Sequence, residues 1–442
     1  MSDKTYRIWN LSVGWIVFAI ALFTFGSTVE PTASFWDAGE YIATSAKLQV
    51  GHPPGAPFFQ MMGAFFALFA SSPEKIALMV NYMSVFSSAF AILFLFWTIT
   101  LLLKKLPSIK PLNSLSERIG FFGSAAVGSL ALCFSDSFWF NAVETEVYAM
   151  ATLILAVLFW MGLRWEQEMN TERGDRWLLM ISFVIGLSFG VHFMGLLTIP
   201  ALGMIYYFKN NKKVTIKGFV YANLISVAVL LVIFKLLLPS TLAFFGKAEV
   251  FFVNTMGLPF ESGTIIAALI IIGLFYFSLK FTHKRNLVNL NTGILSILFV
   301  LLGFSSWIMI PIRANANTVI NENSPSDARL LLAYYNLEQY PETKLFYGPM
   351  FSDIYAGQDP DEPYIDDKPK YERDYKTGQY KIVNFWEDAR FNSNSEHNGI
   401  LPRLWSSEHA GNYMNFTKPL EFTIKSSYRS NSQLKNRIDQ FR

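Results

Sequence analysis

Between Leu11 and Ile312 the chain returns again and again to apolar runs of about 20 residues, the length that carries an α-helix across the hydrocarbon core of a bilayer. Such runs leave few folds open. In lipid every backbone N–H and C=O must be satisfied within a helix or a closed barrel. The runs fall near 11–29, 76–103, 119–135, 143–163, 177–191, 194–208, 218–238, 263–281 and 291–312, which predicts an α-helical polytopic membrane protein of about nine transmembrane helices. The overall hydrophobic content of 52% conceals this, because it averages a very apolar front with a polar back that begins at Arg313. The back holds 16 of the 36 Lys and Arg and 18 of the 33 Asp and Glu, so it is close to neutral. Rich in Tyr, Asn, Asp and Pro, with helical spacing from Asp327 to Tyr335, it reads as a loop-rich α+β segment outside the membrane. The expected organisation is a transmembrane domain over 1–312, with its first outer loop at 30–75, followed by an extracytoplasmic segment over 313–442.

Loop charge sets the expected orientation. Two choices matter: Pro57 to Ala70 is too short to cross and is read as an interfacial helix, and Trp177 to Phe208, punctuated by Gly190, His192 and Gly195, is read as a hairpin of two short helices. With both choices, sixteen basic residues, among them Lys104, Lys110, Arg173 and Lys217, fall on the inner side and three, Lys47, Lys75 and Lys247, on the outer side. Lys235, near the outer end of a span, is expected to snorkel. The first run is long for a signal peptide and Thr32-Ala33-Ser34 is a poor cleavage site, so it reads as a retained anchor. The localisation implied is the inner (plasma) membrane, multi-pass. A net charge of +3 makes no case for nucleic acid, and Cys133 alone allows neither an intramolecular disulfide nor a cysteine-based metal site.

Polar candidates gather on the outer side. Phe35-Trp36-Asp37-Ala38-Gly39-Glu40-Tyr41 puts two carboxylates one helical turn apart just after the first span, and Gly51-His52-Pro53-Pro54-Gly55 follows as a stiff turn. Asp136, Asn141, Glu144 and Glu146 lie in a later outer loop, His192 at the hairpin tip and Arg313 directly after the last span. Acids, a histidine and an arginine at one interface suit a reaction in which a carboxylate accepts a proton while a cation steadies an anionic leaving group. Blander roles are open to each. Asp37 with Glu40 fits a helix capping box, Glu144 and Glu146 would diverge on a helix and leave one solvated, His52 could hold a turn, His192 reads as a hydrogen-bonded interior histidine, and Arg313 fits an interfacial anchor. A divalent cation is compatible with this chemistry but has no diagnostic ligand spacing here, so no metal ligands are assigned.

Four strings, Trp36-Asp37-Ala38-Gly39-Glu40-Tyr41, Gly51-His52-Pro53-Pro54-Gly55, Val143-Glu144-Thr145-Glu146-Val147-Tyr148 and Pro311-Ile312-Arg313-Ala314-Asn315-Ala316, together with Ile320-Asn321-Glu322-Asn323, resemble a Bacteroidetes-type family of multi-spanning proteins. That family is similar to the protein O-mannosyltransferases and is grouped with the GT-C membrane glycosyltransferases. The resemblance implies a GT-C-like fold and a sugar, mannose by analogy, carried on a polyprenyl phosphate to a hydroxyl of an exported protein at the outer, periplasmic face. It implies Asp37 as the catalytic acid of the first outer loop. Arg313 would meet the donor phosphate, and Glu40, His52, Glu144 and Glu146 would shape the acceptor or sugar site. Expected partners are the polyprenyl-phosphate sugar donor, the exported protein acceptor and membrane lipid. Members of that family run longer than this chain, which fits either a fragment or a shortened relative. The rival from another class is a transporter or flippase of a lipid-linked or small substrate, which would place charges within spans and show paired repeats; neither is seen in the sequence.

Overall fold

The protein was described from a computed structural model that covers residues 1–107, 112–171, 174–340, 344–351 and 358–416. Lys110 and Arg173, two of the expected inner-side cations, lie outside the described residues, as does the chain beyond 416. Two compact units emerge, Met1–Leu337 and Glu338–Arg442. The segment after the last apolar helix folds back into the first unit.

In chain order the first unit holds α1 (Asp3–Ser27), α2 (Ala38–Lys47), α3 (Pro57–Ala67), α4 (Ile76–Leu103), α5 (Leu115–Cys133), α6 (Asp136–Ala142), α7 (Val147–Glu168), α8 (Gly174–Ser188), α9 (Thr198–Asn210), α10 (Ile216–Leu231), α11 (Leu238–Asn254), α12 (Ser262–Lys284), α13 (Val288–Phe304), α14 (Met309–Ala314) and α15 (Ala328–Tyr335). Among the described residues six helical stretches are long and apolar enough to cross a membrane: Asp3–Ser27, Pro73–Leu103, Val147–Glu168, Ile216–Asn254, Ser262–Lys284 and Val288–Ala314. A seventh is added if α5 and α6, bent by 70° at their junction, form one span.

Nine spans are therefore not confirmed among the described residues. The proposed hairpin is where the count differs: α8 has 15 residues and α9 has 13, and at 1.5 Å per residue each reaches about 20 Å, short of a hydrocarbon core of about 30 Å. A short 3-10 turn, Phe193–Leu197, separates them. The run expected to stop near residue 238 instead continues as one helical stretch of 39 residues, through a π-helical turn at Val232–Leu237 and past Pro239. Proline is tolerated there because it sits in the first turn of α11, where its missing N–H removes little. Lys247, assigned from sequence to an outer loop, is thus helical.

Two apolar cores organise the unit. One joins α1, α4 and α5 through Val17, Phe25, Phe96 and Phe122; the other gathers α2, α3, α7, α8, α13 and α15 around Phe59, Leu158, Phe189 and Trp307. Where α8 crosses α13 the backbones touch. A Cβ on Gly186 would meet the Val300 carbonyl oxygen at 2.0 Å and one on Gly303 the Phe183 oxygen at 2.2 Å, the small-residue contact by which membrane helices approach closely. α3, with 11 residues, is too short to cross.

After α14 the chain runs back over the end of α2. Val50 bridges Asn321 in parallel, the Val50 N–H donates to Ile320 O, and the Glu322 N–H donates to Val50 O. Asp327 then caps α15 by accepting the Arg329 and Leu330 N–H groups. The helix expected from the 327–335 spacing is present, within the first unit. The second unit carries three antiparallel two-stranded pairs: β1 (Tyr347–Pro349) with β6 (Asn398–Ile400), β2 (Tyr364–Ile365) with β5 (Arg390–Phe391), and β3 (Tyr371–Asp374) with β4 (Gln379–Ile382). With one short helix, Ala410–Phe416, it is a small strand-containing region.

Candidate active site where the ends of α1, α4 and α7 meet

The loop after α1 is fixed by one buried amide. Asn81, in the second turn of α4 and 1% exposed, donates to the carbonyls of Glu30 (2.7 Å) and Thr32 (2.9 Å) and accepts from Thr145 Oγ1 at 2.5 Å. The Glu30 N–H adds a bond to Val143 O at 2.9 Å. Two loops far apart in sequence are thereby held side by side. Sequence reading passed over Asn81. The signal was a lone amide inside an apolar run, where an unpaired polar group is costly.

Trp36 takes a left-handed backbone, φ 59°, and delivers Asp37 to the start of α2. The Asp37 side chain makes no capping hydrogen bond; only its carbonyl enters the helix, accepting from Tyr41 N–H at 2.9 Å. Glu40 does not reach back either. Its Oε1 accepts the His52 N–H at 2.6 Å and its Oε2 lies 3.0 Å from His52 Nδ1. The capping-box reading of Asp37 and Glu40 is thus corrected: the returning turn offers Glu40 two donors at once, and the pair with His52 takes the place of the box. His52 Nε2 stands 3.8 Å from Asp37 Oδ2, so the imidazole lies between the two carboxylates. His52 holds Glu40 below the usual carboxylate range, mainly through the side-chain hydrogen bond. The same bond, aided by the charges of Glu40, Asp37 and Glu322, lifts the His52 pKa against the opposing pull of burial.

The turn that carries His52 is built to fit. A Cβ on Gly51 would lie 2.8 Å from Glu40 Oε1, so the carboxylate's position requires glycine there. Tyr334 Oη donates to Gly51 O at 2.5 Å, and Gln49 Oε1 accepts the Ile320 N–H at 2.6 Å, which tie the turn to the segment after α14. Tyr41 packs between His52 and Phe59, with ring centroids 5.6 and 5.2 Å away.

Glu144 and Glu146 are both buried, at 3% and 7% exposure, and lie in the turn before α7 rather than on a helix. The expectation that one is solvated therefore fails, because Asn81 and Thr145 draw this turn inward. Burial raises the Glu144 pKa, and the charge of Glu30 adds to it. Burial pushes Glu146 up to about 7, with the charges of Asp37 and Glu144 adding to it and hydrogen bonds from the Val147 and Asp37 N–H groups opposing. The Glu146 carboxyl therefore lies beside the Asp37 backbone.

That shift has a measurable consequence. The folded chain keeps a proton on Glu146 up to about pH 7, while an unfolded glutamate releases it near 4.5, so stability falls as pH rises between these values. Glu146→Gln mimics the protonated form. Its stability relative to the parent, followed by thermal unfolding in detergent, is expected to improve by about 1–3 kcal/mol between pH 5 and pH 8. A gap that stays constant across that range would remove the buried-acid assignment.

His192 lies half-buried before the 3-10 turn. Its Nδ1 accepts the Met194 N–H at 3.1 Å, its ring faces Tyr148 at 5.4 Å, and burial lowers its pKa. This is the hydrogen-bonded histidine expected from sequence. Arg313, on α14, donates from Nε to Leu48 O at 2.5 Å and from Nη2 to Lys47 O at 3.1 Å. It therefore grips the C-terminal end of α2, and since α2 has 10 residues this end is roughly 15 Å along the axis from Asp37. Asn141 bonds within its own helix, to Ser137 O. Asp37, Glu40, His52 and Glu146 are thus brought together, with Glu144 alongside and Arg313 at the far end of α2. Among the described residues no group of three or more His, Cys, Asp or Glu side chains could hold a metal ion.

Residues 37–215 match the family model for the N-terminal domain of protein O-mannosyl-transferase TMEM260, and residues 341–436 match a family of unknown function, DUF8416. A protein O-mannosyl-transferase tmem260 of Dictyostelium discoideum is 24% identical over 213 residues, which cover 45% of this chain and 24% of that protein. No solved structure matches. The two TMEM260 matches support an O-mannosyltransferase-like family, in agreement with the resemblance carried by the sequence motifs.

Proposed function

We propose that this chain is a membrane glycosyltransferase that moves a sugar from a polyprenyl-phosphate donor to a hydroxyl of an exported protein, at the outer face of the inner membrane. The observation that carries the reading is the convergence of Asp37, Glu40, His52 and Glu146 at the ends of apolar helices, inside the stretch similar to protein O-mannosyl-transferase TMEM260. In the reaction the acceptor oxygen bonds to the anomeric carbon, the bond from that carbon to the phosphate oxygen breaks, and polyprenyl phosphate departs with its electron pair. The acceptor proton passes to Asp37. A phosphate leaves readily, so positioning and proton removal are the chain's main tasks.

Each neighbour has a stated part. His52, pinned by Glu40, presents Nε2 toward the Asp37 carboxylate and fixes where it can swing. Glu146 lies beside Asp37 and, with Glu144, makes this side of the site buried and acidic. Arg313, which the resemblance implies at the donor phosphate, gives Nε and Nη2 to Leu48 and Lys47 at the end of α2 away from Asp37, too far from the reacting carbon for that part, and so its role here is to hold the C-terminal end of α2. Arg313→Lys is expected to lower the unfolding temperature and to leave the donor KM unchanged. A raised donor KM at an unchanged unfolding temperature would return the phosphate to Arg313.

The test of the reading is turnover by the purified chain given a synthetic polyprenyl-phosphate sugar and a serine- or threonine-containing peptide, repeated in sealed vesicles of known sidedness. Transfer is expected only when both substrates reach the face that carries Asp37. Saturable flux of the lipid-linked sugar without transfer would establish the transport reading instead.

A further inference from the structure

At the opposite end of the helices lies a pocket of about 550 Å³ that the proposed reaction does not use. It is bounded by the first half of α1 and the C-terminal ends of α4 and α7. Asn10 and Arg164 are about 17 and 18 residues along α1 and α7 from Ser27 and Glu146, which at 1.5 Å per residue is roughly 25 Å, close to the thickness of a hydrocarbon core. The pocket therefore sits at one membrane face and Asp37 at the other.

Its charge is unbalanced. Arg7, Lys104 and Arg164 face it against a single acid, Asp3. Arg164 is partly engaged, with Nη2 3.2 Å from Glu168 and Nη1 donating to Gln167 at 2.8 Å. Among the described residues Arg7 and Lys104 have no ion-pair partner; the Lys104 ammonium stands 3.2 Å from the centre of the Tyr6 ring. The walls are aromatic. Trp160 packs against Trp97 and Trp177 at 6.2 and 5.7 Å, and the Arg164 guanidinium lies 5.6 Å from the Trp177 ring. Two polar atoms are left over: Asn10 Oδ1 and Tyr6 Oη are buried with no hydrogen-bond partner among the described residues, and a flip of the Asn10 amide would turn its NH₂ donors into the same position. On the outer flank Ile8, Leu11 and Trp15 are exposed, so the pocket opens beside the lipid-facing side of α1.

We propose that this pocket holds the phosphate ester of an anionic lipid, with its tails along the exposed flank of α1. Unpaired cations beside aromatic walls at a membrane face suit a charged headgroup carried on an apolar chain. A free phosphate ion would meet the cations equally well but would leave the apolar flank unused. The reading is independent of the transfer reaction, since it concerns the other face.

The test uses the full chain in detergent and native mass spectrometry with dioleoyl phosphatidylglycerol, dioleoyl phosphatidylcholine and inorganic phosphate as separate probes. Phosphatidylglycerol is expected to be retained at least about tenfold better than phosphatidylcholine, and inorganic phosphate at equal concentration is expected not to displace it. Arg7→Gln with Arg164→Gln should lower that retention by at least about tenfold, since each cation near an anionic headgroup contributes several-fold. Arg7→Lys alone should keep most of it. If the double variant does not fold, Lys104→Gln is compared in its place. Equal retention of the two lipids, undiminished binding by a folded variant, or displacement by inorganic phosphate would each overturn the proposal, the last assigning the pocket to a soluble anion.

Discussion

Asp37→Asn is expected to lower transfer by about 10² to 10⁴ while the protein folds and inserts as before, the range that a positioned general base contributes. The separation of the two effects follows from the geometry. The Asp37 carboxylate caps no helix and has His52 Nε2 at 3.8 Å as its charged partner, whereas the bond that holds the residue in place comes from its backbone, whose carbonyl receives Tyr41 N–H. Asparagine keeps that backbone bond and the shape of the side chain. Glu40→Gln acts differently, because Glu40 accepts from both the His52 N–H and the His52 ring. Its amide can accept from only one of them, so that variant should lose part of its stability along with a smaller share of activity. The decisive measurement pairs the unfolding temperature with initial rates at saturating donor. An Asp37→Asn protein with near-normal turnover would sink the mechanism, and one that fails to fold would contradict the purely backbone attachment of Asp37.

The site was legible in sequence to the extent that its polar groups stand at the ends of apolar runs. Asp37, Glu40, His52, Glu144 and Glu146 declare themselves because each interrupts a hydrophobic pattern beside a helix end, and the structure gathers four of them around one imidazole and its neighbouring loop. What stayed hidden depends on partners distant in the chain. The spacing of Asp37 and Glu40 fits a capping box, and nothing local reveals that a turn twelve residues on returns with two donors for Glu40. The burial of Glu144 and Glu146 depends on Asn81, more than sixty residues away. Arg313 could be placed at an interface but not at the C-terminal carbonyls of α2, which only the return of the chain after α14 brings near. The count of spans differs for another reason. Apolar composition continues through Trp177 to Phe208 whether or not the helices are long enough to cross, and through Pro239 without a break, so hydropathy alone divides the first stretch into two crossings and cuts the second too early.

Asn81 is the residue on which the arrangement of the acids most depends, and Asn81→Ala is expected to cost about 2–4 kcal/mol of stability. Removal of the amide leaves the Glu30 and Thr32 carbonyls and the Thr145 hydroxyl without partners in a site that is 1% exposed, and each buried group so stranded costs about 1–3 kcal/mol before the loops relax. The upper end of that sum is not expected, since hydrogen bonds in membrane proteins have measured at about 0.6 kcal/mol on average. Thr145→Val removes a single one of the three bonds and should cost about 1 kcal/mol. Because the two side chains share a bond, the double variant should be less destabilised than the sum of the two single variants. Activity should fall with stability in the alanine variant even at temperatures where it is fully folded: the segment from Glu30 to Thr32 leads into Asp37, and the Thr145 turn carries Glu146, so loosening one amide separates the base from the buried acid beside it. The double-mutant cycle, read by unfolding in detergent alongside turnover well below the transition, distinguishes this from a local packing loss. Additive costs, or an Asn81→Ala protein within about 0.5 kcal/mol of the parent, would show that the two loops are held together by something other than this residue.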